Sequence, residues 1–139
     1  MAGVSEEYLL RTEVVNLYAL CIGATIVDAM STMKIMGLED QFQKAVNFSS
    51  QIDFSQSRTD ASVSVFESTI RYIGGLLSAY ELNGNQPQVL VTKAQQLADK
   101  LLFGFTGSSP IPFNEVNFAT NKVDTSTVRI VSAAHYICG

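Results

Sequence analysis

The chain has 139 residues, enough for one domain with a real core, and 47% of them are hydrophobic against 16% charged. A formal net charge of −4 with no Lys/Arg cluster argues against a nucleic-acid partner. A single histidine, His135, and two distant cysteines, Cys21 and Cys138, exclude a multi-histidine metal site and a cysteine metal-ligand spacing. Whether the cysteines form a disulfide stays open.

Residues 5–20 read as a first helix, with Leu9, Leu10, Val14, Leu17 and Tyr18 along one face. No secretory signal is visible, because MAGVSEEYLLRTE lacks a basic start and a compact apolar run. The apolar stretch 14–30 carries Asn16 and Asp28 and falls short of the roughly 20 residues a membrane span needs, so it reads as buried helix. A second helix is expected over 23–37, with Ile26, Met30, Met33 and Met36 on one side and Gly37 as its stop. Asp28 shares another side with Thr32. An acid on so apolar a helix needs a partner, structural or functional. A third helix follows from Glu39 to about Ser49, with Phe42, Ala45, Val46 and Phe48 inward. Asn47-Phe48-Ser49 matches the N-glycosylation sequon, a pattern short enough to arise often by chance. Residues 50–61 are polar and turn-prone and read as a loop.

The stretch 64–82, SVFESTIRYIGGLLSAYEL, reads as a helix of about five turns. Phe66, Ile70, Ile73, Leu77 and Tyr80 make one apolar stripe, while Glu67, Arg71, Gly74, Gly75 and Ser78 lie on another. Each mid-helix glycine costs roughly 1 kcal/mol against alanine, so another helix or a ligand is expected close to that face. Ser64 and Glu67 fit a capping box, and Glu67 and Arg71 an i,i+4 ion pair, which is a purely structural account of both polar residues. The turn signal Asn83-Gly84-Asn85-Gln86-Pro87 leads to a helix over 88–103, with Leu90, Ala94, Leu97, Leu101 and Leu102 on one face, and closes an αα-hairpin. Residues 106–121 read as irregular, and 128–137 as a short apolar strand or helix.

Three ordered segments resemble glycoside hydrolase family 47, the class I α-1,2-mannosidases. VFESTIRYIGGLLSAYEL at 65–82 is similar to the family's signature helix almost residue for residue. GATIVDAMSTMKIMGLEDQF at 23–42 resembles its earlier D-A-L-D-T segment, and KAQQLADKLLFGF with TGSSPIPFNEVNF resembles the following helix and loop. The TGSSPIPFNEVNF loop and the NKVDTSTV tail look most like the fungal branch. The resemblance divides the chain into a divergent segment 1–22, a partial catalytic domain 23–127 and a divergent tail 128–139. Both ends look like a truncated or mis-spliced gene product.

The resemblance implies an all-α fold, an incomplete α/α barrel made of the first few hairpins of a seven-hairpin toroid. It implies inverting, calcium-dependent hydrolysis of terminal α-1,2-linked mannose in high-mannose N-glycans, in the endoplasmic reticulum or Golgi or outside the cell. Glu67 matches the acid-site carboxylate and Arg71 a substrate-binding arginine, with Asp28 and Asp60 as substrate-side groups. The family's second acid, its catalytic base and its calcium-binding threonine have no counterpart here, so no metal ligand is assigned. Ser31 stands where D-A-L-D-T has its second acid. Inversion needs two carboxyls about 6.5–9.5 Å apart, with water between one of them and the sugar. With one of the two, the isolated chain is expected to be inactive. An open piece of barrel also leaves apolar helix faces uncovered, which predicts self-association. The competing reading is a non-catalytic helical fragment or interaction module.

Overall fold

The structure, a computed structural model, describes residues 23–55, 62–106 and 111–125. Asp60, Cys21, Cys138, His135, the helix expected over 5–20 and the segment 128–137 lie outside the described residues. Among the described residues the fold is mostly helical, with one small sheet.

Helix α1 covers 24–35 in two pieces, Ala24–Asp28 and Met30–Ile35, joined through Ala29. Gly37 ends it as expected. With φ at 69°, its N–H donates to the Lys34 carbonyl at 3.2 Å, and the Leu38 N–H reaches back to the Met33 carbonyl at 2.9 Å. This is a Schellman stop, which only a residue tolerant of positive φ closes cheaply. Helix α2 is Glu39–Gln51, burying Phe42, Ala45, Val46 and Ser49. Phe48 is half-buried beside this face and packs on Gly23. The sequon therefore sits inside a helix, with Ser49 buried and its hydroxyl donating to the Ala45 carbonyl at 2.8 Å. The loop after it is less polar in effect than its composition, since Ile52 and Phe54 are both buried.

Helix α3 spans 65–82 through Val65–Glu67, a π-wound stretch Ser68–Ile73, and Gly74–Leu82. It ends in a second Schellman stop, with Gly84 at φ 68° and the Asn85 N–H donating to the Tyr80 carbonyl at 3.0 Å. Helix α4 is Val89–Leu101, followed by a 3-10 turn at Leu102–Phe105. Leu90, Ala94, Leu97 and Leu101 are buried as the period predicts, whereas Leu102 is exposed.

The four helices form two αα-hairpins laid side by side. The first half of α1 packs against the π-wound part of α3 and its second half against Gly74–Leu82, so the two run parallel. Helix α2 likewise packs on α4. One layer is thus α1 and α3, the other α2 and α4. The core between them holds Val27, Met30, Phe42, Tyr72, Leu76, Leu90 and Leu97, all essentially inaccessible. Tyr72 meets Phe54 edge-on, with ring centroids 5.9 Å apart.

Two expectations fail here. The segment 106–121 is not wholly irregular: β2 (Glu115–Asn117) pairs antiparallel with both β1 (Val63–Ser64) and β3 (Lys122–Val123). Val63 and Val116 face each other in this sheet and are buried, which gives three very short strands an apolar anchor. The buried face of α3 is also not the stripe expected. Val65, Ser68, Tyr72, Gly75, Leu76 and Ala79 face the core, while Phe66, Ile70 and Leu77 are exposed. The period is right and the phase is off by one residue, about 100° around the helix.

Candidate active site

The site starts from the sheet. Because β1 runs directly into α3, Ser64 keeps an extended backbone, φ −65° and ψ 122°, and serves as N-cap. Its Oγ accepts from the Glu67 N–H at 3.3 Å, and the Val65 N–H donates to the Asn114 carbonyl at 2.9 Å. Strand pairing and capping together fix where the first turn points, and with it Glu67. Only half of the expected capping box is made. The Glu67 carboxylate turns instead along the helix, where Oε2 accepts from Arg71 Nε at 2.6 Å.

Arg71 then reaches across to the neighbouring helix. Its Nη1 donates to Asp28 Oδ2 of α1 at 3.1 Å. One guanidinium is therefore held by two carboxyl groups from two parallel helices. The Glu67 hydrogen bond is the main cause holding the Arg71 pKa above its ordinary value. Desolvation opposes it, and the charges of Glu67 and Asp28 add to it. The Arg71 and Asp28 side chains are 44% and 47% accessible, while that of Glu67 is 19% accessible. The carboxylate nearest the helix start is thus the most sheltered of the three.

Arg71 belongs to the π-wound stretch Ser68–Ile73. Such single widened turns inside α-helices are frequent at functional sites. Ser68 in the same stretch is buried, and among the described residues its Oγ finds no hydrogen-bond partner, a cost that no sequence pattern announced. The two glycines of the small-residue face have different surroundings. A Cβ on Gly75 would lie 2.7 Å from the Val27 carbonyl oxygen, so α1 is what comes close there. Gly74 meets nothing nearer than the Thr69 carbonyl oxygen at 3.8 Å and faces outward.

Of the four residues singled out in the sequence, the structure brings Glu67, Arg71 and Asp28 together, and Asp60 lies outside the described residues. The contact between Asp28 and Arg71, 43 positions apart, had no signature in the sequence. Among the described residues no group of three or more His, Cys, Asp or Glu is placed to hold a metal ion. The two site carboxylates are spent on a guanidinium, so this donor set does not fit a calcium ion, which takes 6–8 oxygen ligands.

The clasp thus sets a sheltered carboxylate beside a half-exposed guanidinium one turn apart on one helix. The chain belongs to glycosyl hydrolase family 47, whose pattern matches residues 7–136. That match runs past both ends of the segment 23–127. A mannosyl-oligosaccharide 1,2-alpha-mannosidase of Arabidopsis thaliana is 45% identical over 97 residues, 69% of this chain and 16% of its own length. A mannosyl-oligosaccharide alpha-1,2-mannosidase of Coccidioides posadasii is 41% identical over 115 residues, 76% of this chain and 22% of its own. An endoplasmic reticulum mannosyl-oligosaccharide 1,2-alpha-mannosidase of Rattus norvegicus is 41% identical over 100 residues. The solved alpha-1,2-mannosidase from Trichoderma reesei superposes with a TM-score of 0.66 at 32% identity, covering 73% of this chain and 23% of that one. The chain thus spans less than a quarter of the length of these relatives.

Proposed function

We propose that this chain carries the acid-side wall of an α-1,2-mannosidase site, with Glu67 as the acid-site carboxylate and Arg71 as the group that binds sugar hydroxyls. The observation that carries the reading is the Glu67–Arg71 clasp on the side of α3 turned away from the core. The architecture agrees with it. Two parallel-stacked hairpins are how an α/α toroid grows, and the exposed stripe Phe66, Ile70 and Leu77 leaves room for a further helix beside α3.

In the reaction the reading implies, Glu67 reacts in its protonated form: one oxygen stays on Arg71 while the carboxyl proton passes to the leaving oxygen, directly or through a water. The carboxylate left behind takes a proton back from solvent before the next turnover. Arg71 donates its remaining N–H groups to hydroxyls of the terminal mannose. Inversion also needs a base on the far side of the sugar. Asp28, the other carboxylate at the clasp, is engaged on the same guanidinium as Glu67 and so is not available as that base. Calcium, which the family resemblance implies, is assigned to no residue here and no step passes through it. The relatives' names give a mannosyl-oligosaccharide as what they act on and, for one, the endoplasmic reticulum as its place; this supports a high-mannose N-glycan as the substrate of the whole protein and the secretory pathway as its setting. Among the described residues no helix is long and apolar enough to cross a membrane.

The isolated chain is therefore expected to bind terminal mannose weakly and to release none. Incubating it with a high-mannose glycan and calcium tests this. Mannose release that Glu67→Gln abolishes would show that the chain is catalytically sufficient, and the partial-site reading would fall.

A further inference from the structure

We propose that Asp28 is a positioning residue, which holds the Arg71 guanidinium in one plane so that its outer edge faces a sugar, and that Asp28 makes no contact with the sugar itself. The proposal rests on the reading of Arg71 as a sugar-binding group.

The geometry separates this role from plain helix fastening. A guanidinium has five N–H groups. One on Nε goes to Glu67 at 2.6 Å and one on Nη1 to Asp28 at 3.1 Å. Anchors on two different nitrogens fix both the tilt and the rotation of the plane, and five minus two leaves three donors outside. A single anchor to Glu67 would leave the plane free to turn about the Nε–H bond direction. The anchors also come from different helices, so the orientation is set by the packing of α1 on α3 rather than by either helix alone.

Asp28 is not needed to hold those helices together. The Gly75 contact already brings the α3 backbone against the Val27 carbonyl, next in sequence to Asp28, and Val27 is fully buried. An ion pair whose side chains are 44% and 47% accessible adds little to that. What it does add is direction, because charge-assisted hydrogen bonds to a planar fork are geometrically selective.

The test uses the whole chain, labelled with 15N, and α-1,2-mannobiose as probe. Arg71 signals are identified by their loss in Arg71→Lys. In the wild type, restrained rotation should resolve the Arg71 Nη protons. In Asp28→Asn they should merge, the melting temperature should stay nearly unchanged, and the mannobiose dissociation constant should rise roughly tenfold. Weakened binding with an unchanged Arg71 spectrum would overturn the proposal in favour of direct sugar contact by Asp28. A merged spectrum with unchanged binding would overturn it in favour of a purely structural pair. If the wild type binds no mannobiose at all, the sugar-binding reading of Arg71 fails first, and the proposal falls with it.

Discussion

Two contacts join α1 to α3 about one turn apart, and they are opposites. At Gly75 the helices meet backbone to backbone: an added Cβ would lie 2.7 Å from the Val27 carbonyl oxygen, and nothing there can swing aside. At Arg71 they meet through the tips of half-exposed side chains at 3.1 Å, a contact between long side chains and not between backbones. The first contact sets the distance between the helices. The second uses that distance, because the reach from Asp28 to Arg71 works only at the spacing Gly75 permits. Rigidity and chemistry are thus carried by separate residues on the same pair of helices. The contrast predicts that Gly75→Ala loses about 1–3 kcal/mol of stability in urea denaturation, since the added methyl must push α1 away. It should also disturb the Arg71 resonances, although Gly75 touches neither carboxylate. A Gly75→Ala protein of wild-type stability would break the comparison at its root.

The next residue back should behave in the opposite sense. A Cβ at Gly74 meets only the Thr69 carbonyl oxygen at 3.8 Å, an ordinary contact. Gly74→Ala should therefore stabilise the protein by roughly 0.5–1 kcal/mol, the usual gain for alanine over glycine inside a helix. Two adjacent glycines with effects of opposite sign would show that only one serves packing. A loss at both would mean that the outward face is also filled.

This pair also marks what the sequence could and could not reveal. Glycines in mid-helix announced a close approach, and α1 makes it, but nothing in the pattern said which of the two was needed. The phase of α3 was illegible for a related reason. Phe66, Ile70, Tyr72, Ile73, Leu76 and Leu77 spread apolar surface around most of the helix, so hydrophobicity gave the period without the direction. Small and large residues share the buried side, Ser68, Gly75 and Ala79 with Val65, Tyr72 and Leu76, while Thr69 and Gly74 face outward, so size did not mark the direction either. Helix ends were plain, since Gly37 and Gly84 each occupy a positive-φ stop that few other residues accept. The strands were not, since β1 has two residues and owes its existence to a long-range pairing with β2, while β3 has two residues in a short hairpin with β2. Of the site, the Glu67–Arg71 pair was visible as an i,i+4 spacing. Asp28 could be seen as an acid in need of a partner and, by the resemblance, as a substrate-side group, but its pairing with Arg71 could not.

At the polar contact, Asp28→Asn should change stability by no more than about 0–1 kcal/mol, the range of exposed ion pairs. Thermal melting checks this independently of ligand. A loss well beyond that range would mean that the clasp, and not the Gly75 approach, holds α1 in place, and the division between rigid and chemical contacts would fail.

A second exposed ion pair supplies the smallest effect and the control. Lys34 Nζ donates to Glu39 Oε2 at 2.7 Å across the turn between α1 and α2, far from Glu67 in sequence and outside the clasp. The Lys34 hydrogen bond, then one from Gln43, holds the Glu39 carboxyl below its usual value of 4.5. A carboxyl with a lowered folded pKa binds its proton less readily when folded than when unfolded. Its stabilisation is therefore complete above pH 4.5 and is lost as the pH falls through the lower folded value. Urea midpoints of the wild type and Glu39→Gln, measured from neutral pH down to about pH 3, should differ slightly at the top of the range and converge at the bottom. A constant gap would show that the ionised pair contributes nothing. Glu39→Gln should also leave mannobiose binding where it was, because this pair orients no group toward a ligand. Asp28→Asn and Glu39→Gln each remove one exposed carboxylate from an ion pair at α1, and both should be nearly silent in stability. If only Asp28→Asn weakens sugar binding, the difference belongs to the guanidinium it points and not to the loss of a surface charge.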